Sequence, residues 1–142
     1  MADSSIKTIN IKKLNVIWGP VIMHGFADDI VTVEQPEDDV EVVVGADGEV
    51  THTMKQTRHA SVTVNLKQSS LTNTELSAYR IADRLSGSGI FPFTVQDGSG
   101  TTLFFAPAAR IIKAPNIEYG KSVKDYQWVF GTGPAETFIG GN

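Results

Sequence analysis

Three histidines, His24, His52 and His59, are the side chains best suited to proton transfer or metal binding near neutral pH. His24 lies close in sequence to Asp28 and Asp29, whose carboxylates could orient an imidazole for acid–base work. The competing reading is a structural histidine beside a turn. His52 and His59 are an odd number of residues apart, so on one regular strand they point to opposite faces and make a poor metal pair. The adjacent acids at 28–29 and 38–39 diverge in the same way, which leaves no paired carboxylates of the glycosidase kind. The chain has no Cys, hence no disulfide framework and no thiolate zinc site. "GADGE" lacks the spaced acids and closing Glu of a calcium loop. "GSGIFPF" and "DGSGTT" sit after a helix or in a hairpin turn, not ahead of a helix N-terminus where phosphate cradles form. Nucleophile-elbow, HExxH, Walker and dinucleotide signatures are absent. Trp18 and Trp128 could stack on a sugar, but in an all-β domain such residues more often fill the core. The inventory predicts no enzyme, no cofactor and no metal.

The acids are informative as a group. Net charge is −4, yet Lys and Arg occur at 7, 12 and 13 and then not again until Lys55. Between them lie Asp28, Asp29, Glu34, Glu37, Asp38, Asp39, Glu41, Asp47 and Glu49, nine of the sixteen acids. Such a segment is either a solvated edge that resists aggregation or a surface that repels a polyanion. It is the opposite of a nucleic-acid-binding footprint, which needs clustered Lys and Arg. The opening "MADSSIKTINIKK" has no apolar secretory stretch, and no apolar run approaches the roughly 20 residues of a membrane helix. A soluble chain with no membrane binding is expected, made in the cytoplasm.

The elements that would position these groups are mostly strands. "LNVIW" (14–18), "VIMHGF" (21–26), "DIVTVE" (29–34) and "VEVVV" (40–44) read as strands, with a hairpin turn at Asp47-Gly48. "FPFTV" (91–95) and "TTLFF" (101–105) flank a second Asp-Gly turn. "ARIIK" (109–113), "DYQWVF" (125–130) and a short strand at 137–139 follow. One helix is specified over about 73–86. Thr72 and Glu75 suggest a capping box and Leu71 with Leu76 a hydrophobic staple. Leu76, Tyr79, Ala82 and Leu85 form an apolar stripe, and Gly87 a C-terminal cap. The expected fold is mainly β: one domain over 1–142, a β-sandwich or barrel with one flanking helix.

The stretch from Thr51 to Lys67 poses a problem of size. Every odd position is polar, while even positions include Met54, Ala60, Val62, Val64 and Leu66, a period-two strand signal without Gly or Pro. About 17 extended residues span roughly 55 Å, whereas a domain of this length is only about 37 Å across. The middle, "KQTRH" (55–59), is polar on both faces. Either a loop joins two shorter strands, or a long hairpin, 40–67, projects and packs with neighbouring copies, where its edges are closed between subunits. A polar N-terminal arm (1–13) and a Gly-rich C-terminal tail (131–142) are natural tie-points to other subunits.

The acidic hairpin "VVVGADGEVTHTMKQTRHASVTVNLKQSS", the "TNTELSAYRIAD" helix and "FPFTVQDGSGTTLFFAPAARIIKAPNIEYGKSVKDYQWVF" resemble, in order and pattern, the tail tube proteins of contractile-tailed bacteriophages. The resemblance covers nearly the whole chain, and a small tube family often labelled "phage structural protein" resembles it most narrowly. It implies a structural virion protein. Six copies would close into a ring through a continuous inner β-barrel, and rings would stack into a tube inside a contractile sheath. The implied partners are further copies, the sheath, a tape-measure protein, and baseplate or initiator and terminator proteins. Double-stranded DNA would pass through without specific binding. On this reading Glu34, Asp38, Glu41 and Glu49 are candidates for acidic rings facing the lumen. Asp47, Met54, Lys55, Gln56, Arg58 and His59 are candidates for contact between stacked rings. The alternative is a monomeric β-sandwich that binds a glycan or protein at a particle's tip, which would expose the two Trp as a platform.

Overall fold

A computed structural model describes residues 13–55 and 58–141. The chain order is β1 (Leu14–Trp18), β2 (Val21–Ile22), β3 (Phe26–Glu34), β4 (Val40–Val44), β5 (Val50–Met54), β6 (Ser61–Lys67), α1 (Thr72–Ser86), β7 (Phe91–Asp97), β8 (Leu103–Lys113), β9 (Asp125–Thr132) and β10 (Glu136–Phe138). The N-terminal arm, apart from Lys13, and Gln56 lie outside the described residues. The protein is mainly β with one helix, as its sequence predicts.

One sheet dominates, in the order β2-β1-β7-β8-β9-β6-β3, with β10 paired to β8. All of its ladders are antiparallel. The alternation of "SVTVNLK" explains its inner face: Val62, Val64 and Leu66 are fully buried, and Ser61, Thr63 and Asn65 face the other way. Val16, Trp18, Phe93, Phe104, Trp128 and Phe130 join them in a single core, so the sheet curls around one apolar interior. Trp18 sits at its centre. Its ring meets Tyr79, Phe91 and Phe130 edge-to-face, and its Nε1 donates to Ala109 O at 3.0 Å. Trp128 Nε1 donates to Asn73 Oδ1 at 2.8 Å, which fastens the helix to the sheet.

The segments 101–105 and 109–113 are one strand, not two. β8 carries Pro107 where its partner on one side changes from β10 to β9, so the missing N–H leaves no rung broken.

The helix starts differently from its sequence signature. Leu71 is the N-cap residue, has helical backbone angles and makes no side-chain cap. Thr72 is not the cap but a fully buried helical residue whose Oγ1 accepts from His24 N–H at 3.2 Å. Ser70 Oγ accepts from Thr72 N–H and donates to His24 O at 2.7 Å. The bond to the 22–25 segment has taken Thr72 from its expected capping role. Leu71 is 71% exposed, so no staple forms with the buried Leu76. The apolar stripe also holds only in its first half. Leu76 and Tyr79 pack on the core, whereas Ala82 is exposed and Leu85 is 84% exposed. The helix runs off the sheet, and Gly87 closes it in a left-handed conformation with its N–H on Asp83 O.

Candidate assembly surfaces

The long 51–67 strand resolves into two elements. β5 ends at Met54 and β6 begins at Ser61, and Lys55 and 58–60 are not strand. β4 and β5 form a separate two-stranded sheet, paired from Val40↔Met54 to Val44↔Val50. The turn that closes it follows from "GADGE". Gly45 N–H donates to Glu49 O at 2.7 Å, Asp47 Oδ1 accepts from Glu49 N–H at 3.0 Å, and Gly48 supplies the positive φ of +85°. At the base, Lys55 N–H donates to Asp39 O and Gln35 Nε2 to Asp39 Oδ1.

This ribbon is amphipathic. The pairing places Val40, Val42, Val44, Val50, His52 and Met54 on one face, with Glu41, Val43, Thr51 and Thr53 on the other. Its whole length is exposed apart from the half-buried Val40, and Val44 is 64% exposed. A lone two-stranded ribbon is marginal in water, and four of the five apolar side chains on this face, Val42, Val44, Val50 and Met54, are exposed, which makes it a candidate contact surface.

The main sheet has a second distinctive surface. Its non-core face over β3, β6 and β9 carries Thr32, Ser61, Thr63, Asn65 and Gln127, short hydroxyl and amide side chains, together with Val129, Glu34 at one end and the pair Lys67 and Asp125 at the other. Over β7, β8 and β10 the same side of the sheet carries Leu103, Phe105 and Phe138, all exposed. This side of the sheet is therefore mainly polar over β3, β6 and β9, with Glu34, Lys67 and Asp125 as its charges, and carries exposed apolar side chains among Thr94, Gln96 and Glu136 over β7, β8 and β10.

Among the lumen candidates, Glu34 lies on the polar sector opposite Ser61, Asp38 in the 35–39 link, Glu41 on the ribbon and Glu49 at its turn; all four are exposed. Among the ring-contact candidates, Asp47 holds the ribbon turn, and Met54 is exposed on its apolar face. Lys55 is half-buried at the ribbon base. Arg58 is bound within the chain, its Nη1 donating to Glu136 Oε1 at 2.6 Å. His59 lines an apolar dent of about 410 Å³ with Ala60, Ala109, Ile112 and Gly131. The structure does not gather the nine of these residues that it describes in one place; Gln56 lies outside the described residues. The strongest feature is the valine face, which sequence reasoning passed over although the even positions of 40–54 already carried its signal.

The groups that suggested chemistry are dispersed. His24 is exposed, and its backbone serves Ser70 and Thr72. No cluster of three His, Asp or Glu with metal-binding geometry occurs among the described residues. Both Trp are buried, so the aromatic platform of the binding-module alternative does not form. Asp97 has a carboxyl held below its usual range by a hydrogen bond from the Ser99 hydroxyl and a second from the Ser99 N–H, a turn-forming role.

Residues 20–140 match the family model of the bacteriophage PhiTE tail tube protein. Structural protein ORF10 of Pseudomonas phage KPP10 is 32% identical over 123 residues, covering 84% of this chain and 71% of that one. Among solved structures, the fold is shared with the sheath/tube terminator of the extracellular contractile injection system PVC. That match has a TM-score of 0.65, 11% identity, and covers 96% of this chain and 100% of the other. A chain of the PVC sheath-tube complex gives a TM-score of 0.64 at 12% identity, covering 92% and 91%. The tube-terminating cap of the anti-feeding prophage gives 0.62 at 9% identity, covering 97% and 95%.

Proposed function

This chain belongs to the bacteriophage PhiTE tail tube protein family, and we propose that its copies close into six-membered rings that stack into the tube of a contractile-tailed particle. The role is structural rather than catalytic. The tube lies inside a sheath, encloses a tape-measure protein during assembly, and is begun at a baseplate and ended by a terminator. It then conducts double-stranded DNA. The protein resides in the virion after synthesis in the host bacterium.

The observation that carries this reading is the β4–β5 ribbon, on whose apolar face Val42, Val44, Val50 and Met54 are exposed among the described residues. A detached ribbon of this kind is stable when it lies against another subunit, and in a stack that subunit belongs to the next ring. Asp47 in its turn, Met54 on its face and Lys55 at its base would belong to the same contact, and Gln56, Arg58 and His59, next in the sequence, are its further candidates. The polar sector suits a lumen wall because its hydroxyl and amide groups offer phosphates no fixed charge to hold, and the one Lys on β3, β6 and β9, Lys67, stands opposite Asp125. Glu34, Asp38, Glu41 and Glu49 add acidic rings along the same path.

Negative-stain electron microscopy of the purified protein, with light scattering for mass, tests the proposal. Rings or tubes with a central hole are expected. A chain that remains monomeric at all concentrations, alone and with the baseplate present, would overturn it.

A further inference from the structure

One titratable side chain interrupts the apolar face of the ribbon. In the rungs Val40↔Met54, Val42↔His52 and Val44↔Val50, every side chain on this face is aliphatic or a thioether except His52. His52 stands in the middle rung, opposite Val42 and about 7 Å along β5 from Val50 on one side and Met54 on the other. Its imidazole is exposed and has no hydrogen-bond or ion-pair partner among the described residues.

The charged groups lie elsewhere. On the ribbon itself, Glu41 points to the opposite face, and Asp47 and Glu49 are in the turn. At the base, the 35–39 link supplies Glu37, Asp38 and Asp39, and Asp39 Oδ1 accepts from Gln35 Nε2 at 2.8 Å. Lys55 is half-buried there, and Arg58 is paired with Glu136 of β10. Asp39, Lys55, Arg58 and Glu136 line a dent beside Met54, a full rung away from His52. The valine face therefore carries no acid of its own to hold an imidazolium once the face is covered.

A neutral imidazole can be covered together with valines. A charged one must be stripped of water with no counter-charge supplied, which is far more costly. Because His52 sits between Val50 and Met54, a partner cannot cover those side chains and leave the imidazole in water. Histidine is also the side chain that ordinarily changes charge between pH 5 and 8.

We propose that His52 makes the stacking of rings pH-sensitive: the ribbon docks on the next ring with its imidazole neutral, and protonation of His52 releases it. This rests on the ribbon's being the contact between stacked rings. The sign follows from linkage. A side chain that is neutral when docked and protonated when free takes up one proton per copy on release, so acid favours release. The critical concentration for tubes is then flat above about pH 7 and rises by up to about tenfold for each pH unit below about 6.5. Carboxylates ordinarily titrate near pH 4, and relief of their mutual repulsion would act with the opposite sign. The rival is an imidazolium that meets a carboxylate of the next copy, which would strengthen stacking as pH falls.

Sedimentation and electron microscopy at about pH 7.5 and about pH 5.5 test the switch. The parent should form long tubes at the higher pH and release them reversibly at the lower, with a critical concentration about tenfold higher or more. His52→Gln should remove that difference, and His52→Lys should prevent tubes at both values. His24→Gln and His59→Gln should respond to pH as the parent does. His52 is exposed and outside the core, so circular dichroism should show an intact subunit in the His52 variants. Val44→Glu, on the same face, separates the two readings. If it blocks stacking while His52→Gln remains as acid-sensitive as the parent, or while His52→Lys forms normal tubes, the switch is overturned and the ribbon contact stands. Parent tubes that are as stable or more stable at the lower pH also overturn the switch alone. Normal tubes from Val44→Glu overturn the ribbon contact and the switch together, and absence of rings and tubes at both pH values overturns the tube reading with them.

Discussion

Asp97 shows how much of this protein is decided by single short side chains. Its carboxylate accepts from the Ser99 hydroxyl at 2.7 Å and from the Ser99 N–H at 2.9 Å, and these bonds favour the charged form. Because its folded pKa lies below the unfolded one, its contribution to stability is present above the unfolded value and is lost as pH falls through the folded value. Acid denaturation midpoints followed by circular dichroism should show it. Asp97→Asn should destabilise the protein at pH 7 and flatten the dependence of stability on pH below about 4. An unchanged acid profile would remove Asp97 from the account. The Asp-Gly turn and the buried Trp pair were legible in the sequence because both are local or compositional. Thr72 was not. It satisfied every local criterion for a helix cap, and only the approach of His24 from 48 residues away gave its hydroxyl a different partner.

At the scale of elements, the ribbon and the sheet are separable. β4 and β5 form their own sheet and contribute none of the fully buried residues. Replacing 41–53 by a short Gly-Ser link should therefore leave thermal unfolding of the subunit within a few degrees of the parent, while long tubes fail to form. Removing only the connecting segment 54–59 should have the same effect on assembly. Calorimetry and electron microscopy of the two variants decide the matter; long tubes in either variant would take stacking away from this region. The break at 55–60 was not readable as a break. It has neither Gly nor Pro, and its polar odd positions continue the period of the strands on either side. Two signals remained: a domain of this length cannot hold so long a strand, and "KQTRH" is polar on both faces. The half-exposed helix had a similar cause: Leu85 keeps the helical period, but the sheet ends before reaching it.

At the scale of the whole molecule, the uneven charge acquires a function only in an assembly. The 28–49 segment holds nine acids and no Lys or Arg, and in one subunit this is simply a solvated edge. In the proposed tube, the same acids would be repeated around each ring and along the stack and would line or border a channel through which a polyanion passes. A basic wall would bind phosphates with an affinity that rises steeply as salt falls, because each neutralised phosphate releases a counterion. The charge-swap test leaves out Glu34, which lies in the main sheet opposite Ser61, where a reversal would also act on the subunit's own fold. Asp38, Glu41 and Glu49 are exposed and lie off the main sheet. Their combined replacement by Lys should leave particles of normal length, as seen by electron microscopy, but slow DNA release at low salt, with the deficit shrinking as ionic strength rises. Release as fast as in the parent at low salt, from particles of normal length, would show that these acids do not face the DNA path and would confine the conduit wall to the polar sector of β3, β6 and β9.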